Sequence, residues 1–188
     1  IMSLGQDMDD ETSPFQVNLG YQVPDDKDAD YVGKTELERQ REAIENGEFP
    51  FTHKLVGLKM AGEPIRDYAS DFWLVSDPET GDECGYLTSA WWNPDLETNI
   101  GLGFVPAAKL QAATDVPLDD SIYDADVDVE FEVHLPDEYA EEAGEPVYAT
   151  VAKVPFKESV NPSAREQAKI HAKDDMNDSG SRPSGGRE

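Results

Sequence analysis

The sequence predicts a mostly β protein in which an antiparallel β-barrel follows a shorter α+β segment. Before residue 50 the apolar residues recur at helical spacing, whereas from Lys54 onward they alternate with polar residues. Six short alternating runs are separated by turn residues, and this spacing is typical of a closed or nearly closed antiparallel barrel.

The first helix signal lies close to the beginning of the chain. Pro14 suits the first position of a short helix, because its missing N–H would be unpaired there in any case. Gly20 can end this helix, and residues 21–23 are predicted to be extended.

A second and longer helix is predicted to begin at Thr35. Thr35 and Glu38 have capping-box spacing, in which each side chain satisfies a backbone N–H at the helix start. Asn46 and Gly47 end the helix, and Pro50 marks the expected domain boundary.

Six segments after this boundary are predicted to be strands. They are residues 55–60, 72–75, 83–89, 99–105, 127–133 and 147–154. In the fifth, Val and Phe alternate strictly with Asp and Glu, so one face should be buried and the other solvated. Residues 77–81 are predicted to form a turn, since Pro78 fixes φ and Gly81 supplies the left-handed position.

Strand signals end after Phe156. Residues 162–171 have the composition of a short exposed helix. Residues 174–188 are rich in Asp, Ser, Gly and Pro, and they are predicted to be disordered because they bury too little apolar surface to offset the entropy of ordering.

Charge excludes several classes of partner. The chain carries 41 acidic and 15 basic residues, for a formal net charge of −26. Such a surface repels nucleic acid and anionic membranes. Because the acidic residues are spread along the whole chain, we expect a halophilic adaptation and a haloarchaeal or otherwise halophilic origin. The alternative is an acidic face for a basic partner.

Cysteine and histidine usage argues against a disulfide or a transition-metal site. Cys84 is the one cysteine, which fits a reducing compartment and a cytoplasmic location. No apolar run is long enough to span a membrane. The acidic residues of segment 124–128 lack the central glycine of a calcium loop. Gly101 and Gly103 match a dinucleotide fingerprint only in part and are interpreted as strand packing.

Residues 85–106 carry the most specific pattern in the chain. They read Gly-Tyr-Leu-Thr-Ser-Ala-Trp-Trp-Asn-Pro, then Asn-Ile-Gly-Leu-Gly-Phe-Val-Pro after a short gap. The run resembles the C-terminal barrel of the folate-dependent aminomethyltransferases, which include the glycine-cleavage T-protein, dimethylsulfoniopropionate demethylase and aromatic O-demethylases. Five further segments resemble that family in the same order, at residues 3–15, 30–37, 54–58, 62–66 and 151–156.

The resemblance implies three parts in this chain. Residues 1–50 would be the truncated C-terminal end of the folate-binding domain, 51–157 the C-terminal β-barrel, and 158–188 an exposed helix and acidic tail. Tetrahydrofolate would lie in a channel between domains. The acid–base Asp and the pterin-binding Glu of the family would both precede Ile1, so no catalytic residue is expected here and the segment should be inactive without the missing domain.

The donor of the one-carbon unit is either a methyl or an aminomethyl compound. Leu4 stands where the family often has Tyr, which puts aminomethyl specificity in doubt and is compatible with the demethylase branch. Two alternatives from other classes are a non-catalytic folate-binding or interaction barrel and the tail of a flavin-dependent dimethylglycine oxidase.

Three residues are implied contacts of the folate's glutamyl tail. Arg66 matches the family's Pro-Met-Arg position, and a guanidinium binds a carboxylate in a bidentate fork. The alternative is a surface ion pair with Asp67 or Asp71. Lys54 and His53 lie near another basic position of the family, and their alternative is a solvated strand end.

Each of two aromatic pairs can either pack in the core or be exposed to solvent. Trp91 and Trp92 are predicted at a turn between two strands, and Phe72 and Trp73 pose the same question. Adjacent strand residues point to opposite faces, so one member of each pair should pack and the other be exposed. An exposed Trp would face the channel or a neighbouring domain.

Overall fold

The computed structural model describes residues 3–24, 29–67 and 71–156. It contains the predicted antiparallel barrel, closed by six strands in the order β1-β4-β3-β2-β5-β6. The strands are β1 His53–Met60, β2 Trp73–Ser76, β3 Glu83–Asn93, β4 Thr98–Pro106, β5 Glu130–Val133 and β6 Val147–Ala152. The barrel closes because β1 pairs with β4 on one side and with β6 on the other.

The predicted strands are all present, with shifted ends. β3 continues to Asn93, so Trp91 and Trp92 lie on a strand rather than at a turn, and the turn occupies residues 94–97. Residues 127–133 alternate between buried and exposed as predicted, but only Glu130–Val133 pairs with neighbouring strands. The turn at residues 77–81 is confirmed by a bond from the Gly81 N–H to the Asp77 carbonyl.

Small residues let strands β3 and β4 approach each other. A Cβ on Gly101 would lie 2.6 Å from the Ser89 carbonyl oxygen, and one on Gly85 would lie 2.2 Å from that of Phe104. Both distances are shorter than a carbon–oxygen contact allows. A Cβ on Gly103 would lie 3.1 Å from the Tyr86 carbonyl oxygen, so the interpretation of Gly101 and Gly103 as strand packing is confirmed.

The long N-terminal helix, α1 Lys34–Glu45, begins differently from the prediction. Gly33 is its N-cap, at φ +85°, and no side chain caps the helix. The capping box predicted for Thr35 and Glu38 is wrong, because a helix that begins at Lys34 places Thr35 inside the first turn. The predicted end is confirmed, with Asn46 as the C-cap.

Residues 14–22 form two 3₁₀ turns, Pro14–Gln16 and Gly20–Gln22, rather than one helix followed by an extended segment. Asn18 interrupts the helix at φ +59°. A capping box does occur here, between Ser13 and Gln16. Its hydrogen bonds fit a single 3₁₀ turn, which sequence spacing cannot distinguish from the start of an α-helix.

A second α-helix, α2 Ala107–Ala113, follows β4 directly and was not predicted. None of the helices in the described ranges has the length and hydropathy required to cross a membrane. The predicted helix at 162–171 and the predicted disorder at 174–188 lie outside the described residues.

Residues 3–24 lie against the outside of the barrel. The Thr88 hydroxyl, on β3, donates to the Asp7 carboxylate at 2.5 Å, and the Gln6 side chain donates to the Thr88 carbonyl at 2.7 Å. An apolar cluster joins Val17 to Leu55 and Phe104 of the barrel. The barrel and the N-terminal residues thus form one packed body, and this body positions the predicted site residues.

Candidate functional site

Arg66 lies on a short segment, residues 61–67, that leaves the barrel after β1. Ile65, immediately before it, is fully buried. The Ile65 N–H donates to the Asn99 side-chain oxygen at 3.0 Å, and the Ile65 carbonyl accepts from the Trp92 N–H at 2.9 Å. Both backbone groups of Ile65 are therefore held by residues of the barrel wall.

Asn99 is the central contact of this segment. Its side chain is fully buried on β4. While its oxygen accepts from Ile65, its amide nitrogen lies within donating distance of the carbonyls of Ala61 at 3.2 Å, Gly62 at 3.4 Å and Glu63 at 3.0 Å. One carboxamide thus holds most of the backbone of segment 61–65.

Tyr139 contacts the same segment from the other side. Its carbonyl accepts from the Glu63 N–H at 2.9 Å, and its hydroxyl donates to the Asp67 carboxylate at 3.0 Å. Gly62 has φ +96°, and a Cβ there would lie 2.4 Å from the Tyr139 carbonyl oxygen, so only glycine fits. Burial, followed by the hydrogen bond to Asp67, raises the pKa of Tyr139.

The Arg66 side chain itself is exposed. Across residues 3–24, 29–67 and 71–156, no carboxylate oxygen lies within the 4.0 Å ion-pair distance of its guanidinium. The pairing with Asp67 or Asp71 that we weighed as an alternative is absent there, and the Asp67 carboxylate binds Tyr139. Arg66 is thus a cation available to a ligand, on a backbone that is fixed.

Lys54 is placed differently. Its side chain is fully buried, and its ammonium donates to the Phe15 carbonyl at 2.6 Å. It also lies 5.1 Å from the ring centroid of Tyr123 and 5.5 Å from that of Phe49. A solvated strand end, the alternative for this residue, is therefore wrong. Its predicted contact with a folate tail stays a prediction.

His53 is half-buried at the start of β1. Its Nε2 lies 3.0 Å from the Cys84 carbonyl oxygen, so this nitrogen carries the proton, and its Nδ1 lies 2.9 Å from the Thr52 hydroxyl. The ring lines a shallow and largely apolar cleft of about 560 Å³ that also contains Cys84, Pro106 and Gln111. Burial raises the pKa of the Cys84 thiol, which disfavours a reactive thiolate there.

The three predicted site residues do not converge. His53 and Lys54 lie at the first end of β1, whereas Arg66 follows its last residue, Met60. Eight strand residues at ~3.3 Å each put these ends more than about 20 Å apart. A single carboxylate cannot contact all three, and only Arg66 presents an exposed cation.

In each aromatic pair one side chain is exposed and the other is half-buried, as the alternation of an extended backbone predicts. Trp91 is 51% exposed while Trp92 is half-buried, and Phe72 is 48% exposed while Trp73 packs against the core. Because Trp91 is exposed, its ring does not pack in the barrel core. The Phe72 ring contacts Tyr86, with centroids 5.2 Å apart, so this exposed aromatic surface is formed by the residue before β2 and by β3.

Sequence reasoning did not identify the role of Asn99. The sequence predicts Asn99 only as the first residue of a strand, at residues 99–105. A polar amide on the same strand face as Gly101 and Gly103 is the signal that was available, since a buried amide requires hydrogen-bond partners. Its partners lie 34 to 38 residues earlier, so they could not be read from local spacing.

Comparison with known families gives one match that covers more than half of the chain. Residues 53–157 match the family described as the glycine cleavage T-protein C-terminal barrel domain. The match begins at the first residue of β1 and includes all six strands and segment 61–67.

Curated relatives are similar over the same region. Proteins named aminomethyltransferase from Synechococcus sp. (strain CC9902), Parasynechococcus marenigrum (strain WH8102) and Geobacillus sp. (strain WCH70) are 34%, 36% and 29% identical over 115 residues. These residues are 61% of this chain but only 28% to 29% of the relatives. The matched region thus spans little more than a quarter of their length.

A solved structure shares the fold. The glycine cleavage system aminomethyltransferase T from Bartonella henselae aligns with 84% of this chain and 35% of its own, at a TM-score of 0.56 and 23% identity. At 23% identity, this structural similarity is evidence for the fold alone. The larger part of that chain has no counterpart in the residues of this one.

Proposed function

This chain belongs to the glycine cleavage T-protein C-terminal barrel family, and we propose that the protein containing it transfers a one-carbon unit to tetrahydrofolate. Residues 51–157 would be the barrel that closes the folate channel, residues 1–50 the end of the folate-binding domain, and 158–188 a tail. The residues that perform the chemistry would lie in the remainder of the protein. Tetrahydrofolate would supply the ring nitrogens that accept the one-carbon unit.

Arg66 is the observation in this chain that best supports a folate ligand. It is an exposed guanidinium without a carboxylate partner in the described residues, on a segment whose backbone is hydrogen-bonded on both sides. A glutamyl tail carries carboxylates, which a guanidinium binds with two parallel hydrogen bonds. In a chain of net charge −26, an anionic ligand needs such a local cation to offset the general repulsion.

An aminomethyl compound is the donor that the comparisons favour, since the relatives above are named aminomethyltransferase. A methyl donor, as in the demethylases, is the second candidate. The observation in its favour is Leu4, which replaces the family's Tyr and is 78% exposed in the residues described here. With Leu at this position, the folate-binding domain would lack the hydroxyl that a Tyr supplies there.

The binding proposal is tested by calorimetry on the protein expressed from its complete reading frame, titrated with tetrahydrofolate at high salt. We expect Arg66→Ala to weaken binding by at least about tenfold, because the substitution removes a charge-assisted hydrogen bond. Arg39→Ala is the matched control, because Arg39 is exposed but already paired with Glu36. Equal affinities of wild type and Arg66→Ala would remove Arg66 from the site.

The donor is tested separately in the same protein. We expect turnover with an aminomethyl-loaded carrier protein and none with dimethylsulfoniopropionate, and the reverse pattern would select the demethylase assignment. The 188-residue chain should show no turnover with either donor. Transfer by that chain would contradict the proposal that the catalytic residues lie elsewhere in the protein.

We also propose that the acidic surface is an adaptation to a salty cytoplasm. Forty-one acidic residues repel one another at low salt, and ~1 M salt shortens the screening length to ~3 Å. The melting temperature should therefore rise between ~0.1 M and ~2 M KCl. A melting temperature that stays constant or falls over this range would contradict the adaptation.

A further inference from the structure

Asn99 fixes the backbone from which the Arg66 side chain extends. We infer that Asn99 is a positioning residue whose carboxamide sets the affinity of the protein for the carboxylate-bearing tail of its ligand. This inference rests on the proposed function, because it takes Arg66 as the contact of that tail. Asn99 acts through segment 61–65 and does not touch the ligand.

The connection between the two residues is short. The backbone nitrogen of Arg66 is bonded to the carbonyl carbon of Ile65, whose oxygen accepts from Trp92 and whose N–H donates to Asn99. Trp92 and Asn99 are directly opposite each other in the β3–β4 ladder. Ile65 is thus held by one cross-strand pair, and the origin of the Arg66 side chain is held with it.

Both polar atoms of the Asn99 side chain are hydrogen-bonded to segment 61–65. Its two amide hydrogens face three carbonyls, at 3.0 to 3.4 Å, and its oxygen accepts from Ile65. No other side chain of this size supplies donors and an acceptor in the same plane. An Asp at this position would keep the volume and the acceptor but direct a carboxylate oxygen at three carbonyl oxygens.

Positioning matters because bidentate recognition is directional. A guanidinium gains its second hydrogen bond to a carboxylate only when the two planes are aligned. If the backbone of residues 61–65 moves, Arg66 keeps its charge but loses this alignment. The expected effect is a loss of preference for ligands with a tail, and not a uniform loss of affinity.

Two ligands separate positioning from a purely structural role. Tetrahydrofolate and tetrahydropteroate differ by the glutamate alone, so the dissociation constant of tetrahydropteroate divided by that of tetrahydrofolate measures the tail contact. This ratio is measured by calorimetry in the full-length protein for wild type, Asn99→Asp, Arg66→Ala and the double variant. Thr98→Val is the control, because Thr98 precedes Asn99 on β4 and its hydroxyl faces the backbone carbonyls of Met60 at 3.2 Å and Asn99 at 3.5 Å, both outside segment 61–67.

We expect Arg66→Ala to lower the ratio by at least about tenfold. Asn99→Asp should lower it by a similar factor, and the double variant should lower it no further, because both substitutions remove the same contact. Thr98→Val should keep the wild-type ratio. Amide exchange at residues 62–66 should also accelerate in Asn99→Asp by about tenfold or more, while β5 and β6 keep their protection.

Several results would overturn the inference. One is a wild-type ratio in Asn99→Asp, and another is an equal loss of affinity for both ligands. Additive effects in the double variant would also contradict it. If Asn99→Asp does not fold, the smaller Asn99→Ser takes its place, and failure of both to fold would make Asn99 a residue of global stability. An unchanged ratio in Arg66→Ala would instead disprove the Arg66 contact of the proposed function.

Discussion

The barrel and the N-terminal residues 3–50 are held in place by different kinds of interaction. The barrel has a continuous ladder of backbone hydrogen bonds that closes on itself, around a core of fully buried apolar side chains such as Leu58 and Phe131. Residues 3–24 and 29–50, the part of this region that the structure describes, contribute no strand to that ladder and only small apolar clusters. Directional polar contacts therefore carry much of their attachment.

The polar contacts between this region and the rest of the body include buried and half-buried hydrogen bonds. Lys54 donates to the Phe15 carbonyl, Thr88 donates to Asp7, and the Tyr21 N–H donates to the Asp120 carboxylate at 2.8 Å. Apolar burial is spread over many residues, whereas a buried hydrogen bond depends on two groups, and losing one leaves the other unsatisfied. Substitutions in the barrel core should thus affect the whole body, and substitutions at these contacts should release residues 3–50 selectively.

The largest effect should come from the barrel core. Phe131 is fully buried on β5, and Phe131→Ala should lower the global free energy of unfolding by about 4 kcal/mol through lost burial and the cavity left behind. Denaturant unfolding measures this change. Phe72→Ala is the control, since Phe72 is 48% exposed and its loss should cost less than about 1 kcal/mol. Similar values for the two variants would remove Phe131 from the core.

Lys54 tests the junction of the two regions. Lys54→Ala should lower the free energy of unfolding by about 3 kcal/mol, because it removes a buried side chain and leaves the Phe15 carbonyl without its donor. Lys59→Ala, on the same strand but exposed, should have almost no effect. Amide exchange should increase in residues 13–23 more than in β5. Equal stability of the two alanine variants would contradict the burial of Lys54.

Thr88 tests the attachment of residues 3–8 more narrowly. Thr88→Val keeps the shape of the side chain but removes the hydroxyl that donates to the buried Asp7 carboxylate. The local opening free energy of residues 3–8 should fall by about 2 kcal/mol, measured by amide exchange. Thr98→Val supplies a comparison, because its hydroxyl donates to Met60. Unchanged exchange in Thr88→Val would show that apolar contacts alone hold this segment.

The smallest effect should be the pH dependence of α1. Hydrogen bonds from Arg39 and then from Gln40 lower the pKa of Glu36 from 4.5 to about 2. The folded state thus favours the carboxylate, so this contribution is complete above pH 4.5 and is lost as the pH falls towards 2. Gln40 also accepts from the Ser13 hydroxyl at 2.7 Å, so the effect reaches the N-terminal turn.

Glu36→Gln checks this contribution in acid titrations of stability. Wild type should be more stable than Glu36→Gln at pH 6, and the difference should vanish towards pH 2. Because Glu36 is exposed, the difference should be small and should shrink further at high salt. A difference that grows as the pH falls would have the wrong sign for this interaction.

The comparison also explains where sequence reasoning succeeded. Each strand of the barrel was predicted, because the alternation in residues 127–133 or the turn at 77–81 depends on neighbours in the chain. The helix starts were predicted less well. Thr35 and Glu38 have capping-box spacing, but the helix begins at Lys34 after a left-handed Gly33 N-cap, and the capping box forms at Ser13.

Local pattern was enough to predict the six strands and an antiparallel barrel, and the resemblance of residues 85–106 indicated the family. Closure of the barrel depends on the pairing of β1 with both β4 and β6, which are distant in the sequence. Folding over longer distances decided the burial of Lys54 and the exposure of Arg66. Lys54 and Lys59 are five residues apart on β1 and therefore lie on opposite faces of the strand. Phe15 and Tyr123, which are 39 and 69 residues away in the sequence, cover the Lys54 side chain. Asn99 likewise gained its role from carbonyls on a distant segment, because a hydrogen bond depends on position in space and not on spacing along the chain.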